Sequence, residues 1–93
     1  LIQFGLGKTM TVDAILNERG AVYGDYENVA ATSQAIKRII RAGNAYADLS
    51  CVQQESLDMI ANKLARIVNG GWHDDSWVDV QGYSELVLRN ERT

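Results

Sequence analysis

SCVQQESLDMIANKLARIVNG, residues 50–70, decides the fold. Leu57, Ile60, Leu64, Ile67 and Val68 recur at the three- and four-residue spacing of one helix face. Ser50, with Gln53 three residues on, forms a capping-box pattern. The hydroxyl accepts a free first-turn amide, and the Gln side chain reaches back to the cap. Asn69-Gly70-Gly71 ends the run. The opposite face carries Glu55, Asp58, Asn62 and Arg66, with Met59 and Lys63 alongside. A helix this long with one apolar stripe needs other helices to cover it.

The same period recurs on both sides. Thr11 as N-cap and Val12, Ile15 and Leu16 as stripe predict a first helix to about Arg19, stopped by Gly20. Residues 21–26 then form a connector in which Gly24 makes the turn and Asp25 caps the next helix. That helix covers about 26–42, with Val29, Ala30, Ser33, Ile36 and Ile40, and neighbouring Ala35 and Ile39, giving a broad apolar face. Lys37, Arg38 and Arg41 in its last turns suit the negative end of the helix dipole. Residues 45–49 read as a loop.

After a Trp72-His73-Asp74 loop, a last helix runs from about Asp75 to Asn90. Its stripe is Trp77, Val80, Ser84 and Val87, flanked by Leu86 and Leu88. Gly82 in mid-helix costs about 1 kcal/mol against Ala, so another helix or a ligand is expected to approach there. The predicted fold class is all-α, a four-helix antiparallel bundle with helices three and four at its centre. Helix two is apolar around much of its circumference, which predicts a homodimer or larger assembly.

Composition narrows the function classes. The 93 residues are 46% hydrophobic and 23% charged, in the range of one ordinary globular domain. Net charge is -3 with the basic residues spread out, so the footprint of a duplex-binding protein is missing. A single cysteine, Cys51, excludes an internal disulfide, fits a reducing compartment such as the cytoplasm and reads as structural. No apolar run approaches the about 20 residues of a membrane span. Residues 1–9 read as a vector-derived or upstream extension before Met10, leaving 10–93 as a single all-α domain. Gly7-Lys8-Thr9 imitates the end of a phosphate-binding loop. That motif needs glycine where Ile2 stands and a preceding strand, so it is rejected.

The chemistry-bearing stretch is Asp75-Ser-Trp-Val-Asp79-Val-Gln-Gly82-Tyr83. In a helix, Asp75, Asp79 and Tyr83 fall on one face, so two like charges lie side by side. Such a pair calls for a cation opposite: a divalent metal, Lys63 or Arg66. Asp75 alone also suits a helix N-terminus, where a carboxylate takes free N–H groups. Tyr23-Gly24-Asp25 makes a tight turn at a helix start, whose amides suit a phosphate or carboxylate. His73 lies in a loop without a nucleophile partner and reads as surface.

Three blocks carry a resemblance: Arg19, Tyr23-Gly24-Asp25 and Asn28; Lys63-Leu-Ala-Arg66; and Asp75-Ser-Trp-Val-Asp79-Val-Gln-Gly82-Tyr83. Together they resemble a family of small phage and prophage proteins of unknown function. More distantly, the chain is similar to the all-α nucleoside triphosphate pyrophosphatases of the MazG and dimeric dUTPase type. Those enzymes hold magnesium with a Glu-x-x-Glu and a later Glu-x-x-Asp. The resemblance implies Glu55 and Asp58 as the first pair and Asp75 and Asp79 as the second, spaced by four instead of three. These four would be metal ligands and catalytic residues for Mg²⁺-dependent hydrolysis of a nucleoside triphosphate to monophosphate and pyrophosphate. Lys63 and Arg66 would hold phosphate oxygens. Tyr23, Asp25, Asn28 and Tyr83 would complete a nucleotide site between helices three and four and the Tyr23 turn.

A second reading uses the same residues without a substrate. The chain would be a non-catalytic accessory protein that keeps the scaffold and binds a host protein or sequesters a nucleotide. Its acids would then close ion pairs with Lys63 and Arg66 that fix helix packing.

Overall fold

The computed structural model describes residues 11–92, apart from the side chain of Tyr23. The expected extension at 1–9 and the loop-like Gly7-Lys8-Thr9 lie outside the described residues. Every regular element described is helical: α1 (Val12–Tyr23), α2 (Tyr26–Arg41), α3 (Cys51–Gly70) and α4 (Asp74–Glu91). A 3-10 turn at Tyr46–Asp48, where the sequence suggested plain loop, joins α2 to α3. The all-α, four-helix expectation holds, with no strand among the described residues.

Local chemistry sets most of the boundaries. Thr11 caps α1, its Oγ1 accepting the Ala14 N–H at 3.1 Å. At α3 the capping box is complete: Ser50 Oγ accepts from Gln53 N at 3.1 Å, and Gln53 Oε1 accepts from Ser50 N at 2.8 Å. Two expectations fail. α1 continues through Gly20, because glycine in a helix is costly but not forbidden. It ends at Gly24, whose φ of 88° and ψ of 176° lie in a region only glycine enters readily. Asp25 takes the N-cap position of α2 with no side-chain cap bond.

Gly24 also meets a steric demand. A Cβ there would fall 2.9 Å from the Asn69 carbonyl oxygen, so the α1–α2 elbow sits directly on the C-terminal end of α3. Asn69 Nδ2 in turn donates to Thr32 Oγ1 at 3.1 Å and to the Ala65 carbonyl at 2.8 Å.

The central element is α3 alone, not α3 with α4. It packs extensively against α2 and against α4 and more lightly against α1, whereas α2 and α4 share no comparable contact. Both pairings are antiparallel. Thr32 in the first half of α2 meets Asn69 at the end of α3, and Arg41 at the end of α2 meets Asp58 in the first half of α3. On the other side, Ser50 Oγ at the start of α3 hydrogen-bonds Glu91 at the end of α4. The result is a slab of 44 × 29 × 21 Å.

Small residues mark where the helices touch. Ala61, Ala65, Ser33, Ser56 and Ser76 are buried, and Ile15 and Val29 are the buried larger apolar residues. On α3, Leu57, Ile60, Leu64 and Ile67 are half-buried flanks of these contact lines, while Val68 from the expected stripe is exposed. On α4 the covered residues are Ser76, Val80, Tyr83 and Val87: Val80 and Val87 stand in the expected stripe, while Ser76 and Tyr83 replace the exposed Trp77 and Ser84. α2 follows its expected stripe through Val29, Ser33, Ile36 and Ile40. Short side chains let backbones approach, so the helix axes settle over serine and alanine with the larger residues beside them.

Gly24→Ala should lower stability by about 1–3 kcal/mol through backbone strain alone, with the clash on Asn69 adding to it. Urea unfolding followed by circular dichroism would measure this, and an unchanged midpoint would contradict the elbow contact.

Candidate functional site

The proposed site residues sit on both sides of α3, and the helical repeat decides which of them can meet. Asp58 and Lys63 are five positions apart, about 140° around the helix at 3.6 residues per turn. Asp58 therefore faces α2 and Lys63 faces α4. The two ion pairs that result point to opposite sides of the slab.

On the α2 side, Arg41 Nη2 binds Asp58 Oδ1 at 3.1 Å. The guanidinium pKa is raised, first by a hydrogen bond with Tyr46 and then by the Asp58 charge. The 3-10 turn presents Tyr46 there and is itself held by Gln54, whose Nε2 donates to the carbonyls of Tyr46 at 3.0 Å and Leu49 at 3.3 Å. Arg41 was read from sequence only as complementing the helix dipole. Its role in joining the end of α2 to α3 is a long-range contact that local pattern cannot show.

On the α4 side, Lys63 Nζ binds Asp79 Oδ2 at 3.0 Å. The Lys63 side chain is only 12% exposed and that of Asp79 45%. The expected cation opposite Asp79 is thus Lys63. Tyr83 lies half-buried one turn further along α4. Asp75 stands exposed in the first turn of α4, where its Oδ1 accepts the Ser76 N–H at 3.1 Å. This is the amide-binding role that a carboxylate takes at a helix start.

The four carboxylates assigned to magnesium are not gathered. Asp58 is turned to Arg41 and Asp79 to Lys63, while Glu55 is exposed on α3. Among the described residues no three His, Cys, Asp or Glu side chains come together as a metal site. The physical reason is that α3 turns Asp58 toward α2, away from the α4 that carries Asp75 and Asp79, and presents Lys63 to α4 instead.

The remaining assigned residues lie at the α1–α2 elbow and on α3. Asp25 and Asn28 are exposed at the start of α2, and Arg66 is half-buried on α3. Since Gly24 rests on Asn69, the turn that holds Tyr23 lies at the far end of α3, two turns beyond Lys63. The sequence cannot separate these positions, because periodicity gives a face but not the neighbour that the face meets. Cys51, read as structural, is exposed at the first position of α3.

Two features were missed or only half read. Trp72 and Trp77 stack across the α3–α4 turn with ring centroids 6.1 Å apart and planes at 30°. They remain 72% and 46% exposed. Gly82 has open space where a Cβ would stand, so no other described part of the chain makes the close approach its presence suggested.

Asp79→Asn should destabilise the chain by about 1 kcal/mol, because Lys63 loses its counter-charge at a pair whose acid side is open to water. The double change Lys63→Met with Asp79→Leu should recover most of that loss. Equilibrium urea unfolding of the three variants checks both; equal stability of Asp79→Asn and the parent would show the pair to be dispensable.

No helix of the described residues is long and apolar enough to cross a membrane. Comparison with curated proteins and with solved structures finds no match. A family model does match, over residues 9–90 of the 93. The chain therefore belongs to the family described as a domain of unknown function, DUF6378.

Proposed function

We propose that this chain is a non-catalytic accessory protein, of the phage or prophage kind its three sequence blocks resemble, that acts by binding a protein partner in the cytoplasm of a bacterial host. The observation that carries this reading is the Lys63–Asp79 pair. The lysine best placed to hold a phosphate oxygen is nearly buried and already neutralised at 3.0 Å by the carboxylate best placed to hold magnesium. Asp58 is likewise engaged by Arg41 at 3.1 Å. Charges closed on one another orient helices, and a substrate would have to break those pairs before gaining from them.

The exposed Trp72 and Trp77 stack supports the same reading. Large aromatic side chains left in water are the residues that most often anchor protein interfaces. The stack lies at the turn between α3 and α4.

The competing reading, magnesium-dependent binding or pyrophosphohydrolysis of a nucleoside triphosphate, would need Lys63 and Asp79 to part and the two acidic pairs to converge. A thermal-shift screen of nucleoside mono-, di- and triphosphates, with and without Mg²⁺, separates the two. The interaction reading expects no nucleotide-specific shift. A nucleotide that stabilises the chain by about 2.7 kcal/mol at 100 times its dissociation constant, and loses that effect in Asp79→Ala, would overturn it.

A further inference from the structure

We infer that α4 pairs with α4 of a second copy of this chain, antiparallel, about a two-fold axis passing close to Gly82. This goes beyond the proposed function and does not depend on it. It rests on a different face of α4 from the one that packs on α3, and on a different region from the tryptophan stack.

Gly82 is the starting point. Glycine in a helix interior is disfavoured, and within the described chain nothing takes advantage of it: no atom lies within 4 Å of where its Cβ would be. The missing side chain leaves a shallow, open notch bordered by Val78, Leu86 and Arg89. Every lining residue belongs to α4 and nothing encloses the space. An open notch in the side of one helix fits another helix better than it fits a small molecule.

The pattern on either side of Gly82 is self-complementary. Val78 and Leu86 stand one turn before and one turn after it, 60% and 50% exposed. Asp75 and Arg89 stand two turns before and two turns after, about 10 Å along the axis in each direction. All five share one arc of the helix. Laid antiparallel on a copy of itself, this face puts Val78 against Leu86 and Asp75 against Arg89, and two-fold symmetry makes each contact twice. Of the like charges that would also face each other, Asp79 is paired with Lys63, and Glu85 shares Arg89 with Asp75 of the second copy. Lys63 lies 3.0 Å from Asp79, and Arg89 Nε lies 3.1 Å from Glu85. A parallel arrangement, by contrast, would set Asp75 beside Asp75 and Arg89 beside Arg89.

The test uses the full chain in light scattering, circular dichroism and cross-linking. The parent should have the mass of a dimer at high concentration. Gly82→Arg should be monomeric with an unchanged helical spectrum, since the position is open in the single chain. Arg89→Glu and Asp75→Lys should each weaken self-association at least tenfold, while a mixture of the two should form the heterodimer, in which positions 75 and 89 again carry opposite charges in both contacts. In a Cys51→Ser background, Gly82→Cys should cross-link rapidly under mild oxidation and Ser84→Cys, on another face, should not. A parent that stays monomeric, a dimer indifferent to Gly82→Arg, a mixture that fails to associate or preferential cross-linking at Ser84→Cys would each overturn the proposal.

Discussion

Ala61 and Ala65 are fully buried on the side of α3 that also carries Asp58 and Asn69. Ser56 is buried on the side that carries Lys63. These short side chains let α2 close on one flank of α3 and α4 on the other. A helix packed on two opposite sides has little circumference left for a cleft. Everything polar that joins the helices is then distributed along two separate seams. Thr32–Asn69 and Arg41–Asp58 lie on one, and Lys63–Asp79 and Ser50–Glu91 on the other.

This arrangement explains why acids and bases that look like a site in sequence act as fasteners in space. Asp58 and Asp79 belong to different seams, Glu55 and Asp75 are exposed, and the cation expected to hold a substrate instead closes on Asp79. It also explains the thin core. With α2, α3 and α4 side by side, the larger apolar residues can be only partly covered, and Ile39, Val68, Val78 and Leu86 stay exposed. Single-layer packing of this sort gains most from a second layer supplied by another chain.

Much of the architecture was legible residue by residue. The Ser50–Gln53 capping box, the Thr11 cap and the stripe on α2 are local chemistry, and each stands where the spacing put it. The fit was poorer where two signals competed. Gly20 looked like a stop but lies inside α1, because Gly24 alone combines the required backbone angles with the contact on Asn69. On α4, Trp77 was the largest candidate for the core, yet Ser76 beside it is the residue that is buried. A hydrophobic scale ranks side chains by transfer energy; helix contact ranks them by how closely they let backbones approach.

What the sequence by itself determined was the helical class, the number of helices, most of their ends and the need of Asp79 for a cation. These follow from periodicity, capping and charge, which act over a few neighbouring residues. What only the tertiary structure decided was which cation that is, that Asp58 belongs to Arg41, and that α3 rather than a pair of helices is the hub. Each of those depends on the direction a helix face points once its neighbours are placed. A rotation of 100° per residue turns five positions of chain into opposite sides of the molecule.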